Sequence, residues 1–532
     1  MNRVIKPSSE NTQENAEDDP PDSLVLKNKN STTARFQRAG LPSTLVRAVA
    51  KIKLEEPLKE MVSFFVAKNN YKKNNEISYK INRDNFQIKV SGCSEYLVNY
   101  PVGILSNLRR RAKEILLDNF IYTRTFPLIL LNNNNNNNNT LLYKISEPLL
   151  KDFINYGLLK DLPRISDSAK IETKRLIENF NESQKNGSVI FKKPNRTEKV
   201  LPLKETSEKL AVLSLSFGKD SLLSYGISRE IGLDIYPVFI NDMGKYNPNE
   251  FEIKKKIAES FSKEQKPVFI LLDETDNLFR SKEMKEKIEE LDGTNAMLTF
   301  ALELTPLAYS HGAKYIIFGN ERNLSNYFIN KEGFRVYPSY DQSSIYMKRE
   351  NQHLKKLTDG NIQILSLVEP IYNIAEMKIL YHRYPELLKY VMSCSSKKLS
   401  NEKWCYRCPM CAKAFLYSVA VGGDPKKMGF RKNLFEMKYK NLYPVFTSEI
   451  ERVYEKPPRV KEEESLAFYL ALRNGQKGEL IDLFKQKYLK RVEKKEKELR
   501  EKYFGIHPSQ ILPPELKDKV LRIYEEELKE LR

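Results

Sequence analysis

The chain has 532 residues, a net charge of +19, 40% hydrophobic residues and 30% charged ones. At about 150 residues per domain that length calls for more than one domain, and the basic excess favours acidic ligands such as nucleotides or nucleic acid. No stretch reaches the roughly 18 uninterrupted apolar residues of a membrane helix. The polar start, with Asp18-Asp19-Pro20-Pro21, lacks the apolar core of an export signal, so residues 1–35 read as a disordered tail of a cytoplasmic protein.

Residues 36–204 read as an N-terminal α+β domain. A short helix is expected at Leu45–Leu54. Period-two alternation at Ile77–Ile81 and Phe86–Val90 marks half-buried strands. Leu105–Phe120 reads as a helix carrying Arg109-Arg110-Arg111 as a solvated basic face. The asparagine run Asn132–Asn139 reads as a loop. Two further strand-like pieces lie at Lys144–Ser146 and Ser188–Phe191.

Residues 205–432 carry the clearest pattern. Leu210–Leu215 is apolar and short enough for one buried strand. Ser216-Phe217-Gly218-Lys219-Asp220-Ser221 follows, and then a helix over Leu222–Ile231. Gly218 is expected to let the backbone turn, and Ser221 to cap the helix. A strand, a tight turn and a helix N-terminus make an anion site, because free N–H groups and the positive end of the helix dipole point at one spot. Lys219 adds a full charge, and Asp220 can hold a metal ion. Strands at Asp234–Ile240, Pro267–Asp273 and Lys314–Gly319 alternate with helices at Glu250–Lys263 and Asn295–Ser310. This alternation predicts an α/β fold with a doubly wound parallel sheet. Ligands in such sheets sit at the carboxyl ends of the strands, where Ser216–Ser221, Asn241-Asp242 and Gly319-Asn320-Glu321 converge.

Cys394, Cys405, Cys408 and Cys411 are clustered, whereas Cys93 stands alone. Four thiolates at this spacing suit a closed tetrahedral zinc site, with an iron–sulfur cluster as the alternative. The four histidines, His311, His353, His382 and His507, have no paired metal spacing. Residues 433–532 read as a C-terminal helical region with helices at Glu462–Arg473, Leu480–Tyr503 and Pro514–Arg532; in the last, Leu516, Val520, Tyr524, Leu528 and Leu531 share one face.

Ser216-Phe-Gly-Lys-Asp-Ser resembles the pyrophosphate loop of the PP-loop ATP pyrophosphatases, the adenine nucleotide alpha hydrolase-like fold, whose usual text is Ser-Gly-Gly-x-Asp-Ser. Phe217 replaces the first glycine, so that position is expected to take an ordinary backbone conformation. With the four cysteines, the pattern is similar to the 7-cyano-7-deazaguanine synthases. It is closer in text to the UDP-N-acetylmuramoyl-L-alanyl-L-glutamate epimerases, through Gly319-Asn-Glu-Arg, Tyr340-Asp-Gln, Ser366-Leu-Val-Glu-Pro-Ile-Tyr, Glu376, Ser393-Cys394 and Trp404-Cys-x-x-Cys-Pro-x-Cys. The resemblance spans roughly residues 205–425.

It implies an enzyme that cleaves ATP to AMP and pyrophosphate and adenylates a small-molecule carboxylate. Ser216, Gly218, Lys219, Asp220, Ser221 and Asn320 would bind the nucleotide. Lys219, Asp220 and Glu321 would act in catalysis with Mg2+, and Cys394, Cys405, Cys408 and Cys411 would hold Zn2+. Glu369 and Glu376 are weaker candidates, and no general base stands out. A PP-loop enzyme acting on tRNA and a non-catalytic nucleotide- or RNA-binding protein are the alternatives.

Overall fold

The structure is a computed structural model that describes residues 74–93, 95–131, 140–185, 188–197, 205–242, 244, 247–279, 291, 293–394, 402–447 and 458–532. The expected tail at 1–35, the helix at Leu45–Leu54 and the asparagine run lie outside these residues.

Strands β1 (Asn74–Ile81), β2 (Asn85–Val90) and β3 (Glu95–Asn99) form an antiparallel meander. The alternation is that of a one-sided sheet: Phe86, Ile88 and Val90 are buried while Lys89 is exposed. Helix α1 (Arg110–Thr125) starts later than expected, so the arginine triplet sits at its N-terminal end rather than along its face. Strand β4 (Thr140–Tyr143) pairs parallel with β1, just ahead of the expected Lys144–Ser146. Helices α2 (Lys151–Ala169) and α3 (Thr173–Lys185) lead to β5 (Val189–Phe191), parallel to β4.

The second half follows the predicted alternation. It runs β6 (Ser207–Ser214), α4 (Lys219–Glu230), β7 (Asp234–Asn241), α5 (Pro248–Glu264), β8 (Phe269–Asp273), α6 (Ala296–His311) and β9 (Ala313–Phe318). A two-residue hairpin, β10 (Phe328–Ile329) and β11 (Arg335–Val336), precedes α7 (Ser344–Leu357), β12 (Gln363–Ser366), α8 (Asn373–Arg383) and α9 (Pro409–Ala420). The C-terminal region is helical: α10 (Pro458–Arg473), α11 (Glu479–Lys487), α12 (Leu489–Glu493), α13 (Glu496–Tyr503) and α14 (Pro514–Leu528). The helical stretch expected over Leu480–Tyr503 is made of three short helices. Leu516, Val520, Tyr524 and Leu528 are buried as one stripe of α14.

Ten strands make one mostly parallel sheet in the order β12-β9-β6-β7-β8-β3-β2-β1-β4-β5. Within β6, Ala211 and Leu213 join one apolar cluster and Val212 joins the other, so helices cover both faces. Helices α4, α8, α9 and the C-terminal helices supply the first cluster, while α1, α2, α6 and α7 supply the second. The sheet runs on across the boundary expected at residue 204, because β3 pairs antiparallel with β8 through Val98–Asp273 and Asn99–Leu272. Among the described residues no helix is long and apolar enough to cross a membrane.

Candidate active site

The parallel strands run β8-β7-β6-β9-β12, so the chain reverses its direction of winding between β6 and β9. Two loops leaving adjacent strands in opposite directions open a crevice at their carboxyl ends. The turn Leu215–Gly218 leaves β6 here, and helix α4 begins at Lys219 with Gly218 as its N-cap. Ser221 is therefore not the cap: it lies inside the first turn, where its hydroxyl donates to the Gly218 carbonyl at 3.1 Å and sits 3.3 Å from Ser216 Oγ.

The backbone turns at Phe217, not at Gly218. Phe217 adopts φ 62°, whereas Gly218 is extended at φ −70°. The expectation of an ordinary conformation at Phe217 is thus corrected. A left-handed non-glycine residue costs roughly 1–2 kcal/mol. Full burial of the Phe217 ring against Phe239 and Phe261 offsets that cost by a similar amount, about 1.5–3 kcal/mol. The Phe217 carbonyl also accepts a 2.8 Å hydrogen bond from Met392 N–H, two residues before Cys394. On the other side Gly319 closes on the loop. A Cβ there would stand 3.0 Å from both Asp220 Cβ and Ser221 N, so the loop would have to give by a few tenths of an ångström to admit one.

Lys219, Asp220 and Glu376 form one buried set. Lys219 Nζ donates to Glu376 Oε2 at 2.6 Å and also pairs with Asp220. Lys219 is 9% exposed, Glu376 0% and Asp220 28%. Burial opposes the charge on Lys219, but Asp220, Glu376 and Glu321 together hold the ammonium above its ordinary range. Burial likewise opposes ionisation of Asp220, and Lys219 with a hydrogen bond from Glu376 outweighs it, so the carboxyl stays below its usual range. Glu376 is pushed well above the carboxylate range by burial and then by Asp220. One ammonium thus faces two acids whose affinities for a proton are driven in opposite directions. Glu321 opens the short helix after β9 and is pushed up to about 7, first by burial and then by Asp220.

Two clefts flank the turn. One, of about 140 Å³, lies beyond β6 and β7 and is lined by Ser214, Ser216, Phe239, Asn241, Phe251 and Lys254. The other, of about 320 Å³, is lined by Lys219, Asp220 and Glu321, by the amides of Asn323, Gln342 and Asn373, and by Lys413 and Glu463. Asn320 does not reach it as expected of a nucleotide ligand. Its amide points into the core, donating to Gln342 O at 3.3 Å and to Met347 Sδ at 2.8 Å. Glu369 is buried outside both clefts. The histidines are structural: His311 stacks on Tyr236 and His353 on Phe153, His382 pairs with Glu527, and His507 meets the Lys502 carbonyl.

Sequence reasoning missed Asn323, Asn373, Lys413 and Glu463. A partial signal existed for one of them. Met410, Lys413 and Tyr417 share a face of α9 at helical spacing, starting between the last two cysteines, and all three line the larger cleft.

The four expected cysteines do come together. Their sulfurs all lie within 4.8 Å of one another. Cys394–Cys408, Cys405–Cys411 and Cys408–Cys411 are 3.9, 3.7 and 3.5 Å apart. A tetrahedron with Zn–S bonds of about 2.3 Å has edges of roughly 3.8 Å, so the donor set fits a zinc ion. Tyr406, left-handed at φ 56°, turns the knuckle, and Arg407 N–H donates to Cys405 Sγ at 3.3 Å. Trp404 stacks on Phe430 at 4.2 Å and donates from Nε1 to Met428 O. Cys408 caps α9 and Cys411 lies in its first turn, so the same cluster fixes the helix that lines the larger cleft.

No family model matches this chain, and no curated protein matches it.

Proposed function

We propose that this protein is an ATP-dependent adenylating enzyme of the PP-loop type, cleaving ATP to AMP and pyrophosphate to activate a carboxylate on a small molecule. The observation that carries this reading is the placement of a charged, buried Lys219 at a helix N-terminus between two clefts. The smaller cleft, with Phe251, Phe239 and Asn241, suits the nucleoside. The larger one, with its amides and Lys413, suits the acceptor.

In this reading the α-phosphate lies over the turn Ser216–Ser221, facing the backbone N–H groups and the hydroxyls of Ser216 and Ser221. An acceptor carboxylate oxygen bonds to the α-phosphorus as the bond to the β-phosphate bridging oxygen breaks. The electron pair leaves with pyrophosphate, giving an acyl-adenylate. Lys219 stabilises the charge that builds on the α-phosphate and on the leaving group. Asp220 is the residue that would hold Mg2+, which supplies Lewis-acid charge neutralisation when bound. The four cysteines would hold a structural Zn2+, closed to substrate. In this reading Glu321, which lines the larger cleft, moves a proton on the acceptor. The mixed anhydride could then take ammonia, as in a synthase, or acidify a neighbouring C–H for inversion, as in an epimerase.

ATP–pyrophosphate exchange with carboxylate acceptors tests the reading. Exchange is expected in the wild type and is expected to be lost in Asp220→Asn with the fold intact. Wild-type protein that shows no exchange with any acid would refute adenylation of a carboxylate. Exchange that requires added tRNA would move the acceptor to a nucleic-acid base.

A further inference from the structure

Helix α8 contacts both Glu321 and Lys219. Its first residue, Asn373, donates from Nδ2 to Glu321 Oε1 at 3.3 Å. One turn on, Glu376 accepts from Lys219 at 2.6 Å. Where α8 sits therefore decides where Glu321 and Lys219 sit relative to each other. The first N–H groups of a helix have no partner within it, and here they are held from outside. Ile374 N–H donates to Glu463 Oε1 at 2.9 Å, and Asn373 N–H donates to Asn323 Oδ1 at 3.0 Å. Asn323 is in turn fixed by its own donation to Glu463 Oε2 at 2.6 Å.

Glu463 belongs to α10, in the C-terminal helical region, and is 1% exposed. Both of its oxygens are thus used on the N-terminus of α8, one directly and one through Asn323. A helix that served only to cover the sheet would bury an apolar residue here, because an acid taken out of water costs several kcal/mol without such partners.

We infer that Glu463 is a positioning residue, by which the C-terminal helical region fixes α8 and so sets Glu321 against Lys219 in the larger cleft. This rests on the adenylation reading for its catalytic meaning, and on geometry alone for the positioning itself. Asn323 matches a carboxylate on one side and a backbone N–H on the other. A carboxamide at 463 presents its N–H₂ either to Ile374 N–H or to Asn323, so one link of the chain breaks in Glu463→Gln, whichever way the side chains turn.

The test uses the full chain in two arms. In the first, amide hydrogen exchange is measured on wild type and Glu463→Gln without ligand. Exchange at residues 321–324 and 373–376 is expected to rise by about tenfold, the loss of one buried hydrogen bond, with β7 unchanged. In the second, ATP cleavage to AMP and pyrophosphate is followed. The turnover number is expected to fall by about 10–100-fold with KM for ATP within about twofold. Glu463→Ala should be worse than Glu463→Gln in both arms; if it fails to fold, Asn323→Ala replaces it, breaking the link without altering α10. Unchanged exchange at 321–324 and 373–376 would overturn the inference, as would loosened amides with unaltered turnover. If the wild type cleaves no ATP, the adenylation reading falls, and the exchange arm still decides the positioning.

Discussion

Two sets of buried charge sit at the carboxyl edge of the same sheet, and they differ in one respect. At the end of β8, Arg124 Nη2 meets Asp273 Oδ2 at 2.7 Å with side-chain exposures of 4% and 0%, and Glu303 lies buried beside them. At the end of β6, Lys219 meets Asp220 and Glu376. Each set has one cation and two acids, and in each the second acid is driven well above its ordinary range, first by burial and then by the neighbouring aspartate. The Arg124 set is sealed: it lines neither cleft, and it stitches α1 to β8. The Lys219 set opens onto the larger cleft. The same desolvation acts on both sets, but only in the open one does it act on groups that line a cleft.

The comparison can be broken by removing the cation from each set. Arg124→Met leaves Asp273 buried without its partner, and is expected to cost about 3–5 kcal/mol in urea unfolding, while nucleotide affinity of the folded protein is unchanged. Lys219→Met should do the reverse. ATP cleavage is expected to fall by about 10²–10³-fold, with a smaller loss of stability because water from the cleft reaches Asp220. If both variants lose stability equally and keep activity, the distinction between sealed and open charge is refuted.

The smallest effect is one of pH. Glu321, pushed up to about 7, keeps a proton in the folded protein over a range where the unfolded chain has released it. Stability from this group therefore falls as pH rises from its ordinary value of 4.5 to about 7, and is level above that. The difference in Tm between wild type and Glu321→Gln should follow this curve, and a difference independent of pH would show that Glu321 carries no shift. Activity that needs the ionised form should rise through the same range.

What was legible in the sequence was local. The strand, turn and helix around Ser216–Ser221 are contiguous, and their chemistry is written in six residues. The cysteine spacing closes on itself within a short stretch, so it too could be read. Period-two alternation located β1 and β2, and short apolar runs alternating with helical stretches located β6 to β9, for the same reason. Glu463, Asn323 and Asn373 were not legible, because each is an ordinary polar residue until tertiary packing brings α10 against α8. Glu376 was only a weak candidate since its partner, Lys219, lies far away in the chain. Asn320 shows the opposite error: a polar residue at the right sheet edge whose side chain the core had already used. Phe217 was misread because a left-handed backbone is disfavoured for phenylalanine, and only the packing of its ring and the Met392 bond show why it is held there.

The seam between β3 and β8 has a consequence for how the chain is made. Among the described residues the halves of the sheet are joined by a short ladder, Val98–Asp273 and Asn99–Leu272, with Glu274 N–H donating to Leu97 O at 2.9 Å beside it. During synthesis β1 to β5 emerge first, and β3 waits with one hydrogen-bonding edge unpaired until β8 has followed. An uncovered edge is a template for pairing with another chain. The nascent protein is therefore most exposed to misassociation in the interval between the two halves, and docking of Asp273 onto Val98 and Arg124 ends it.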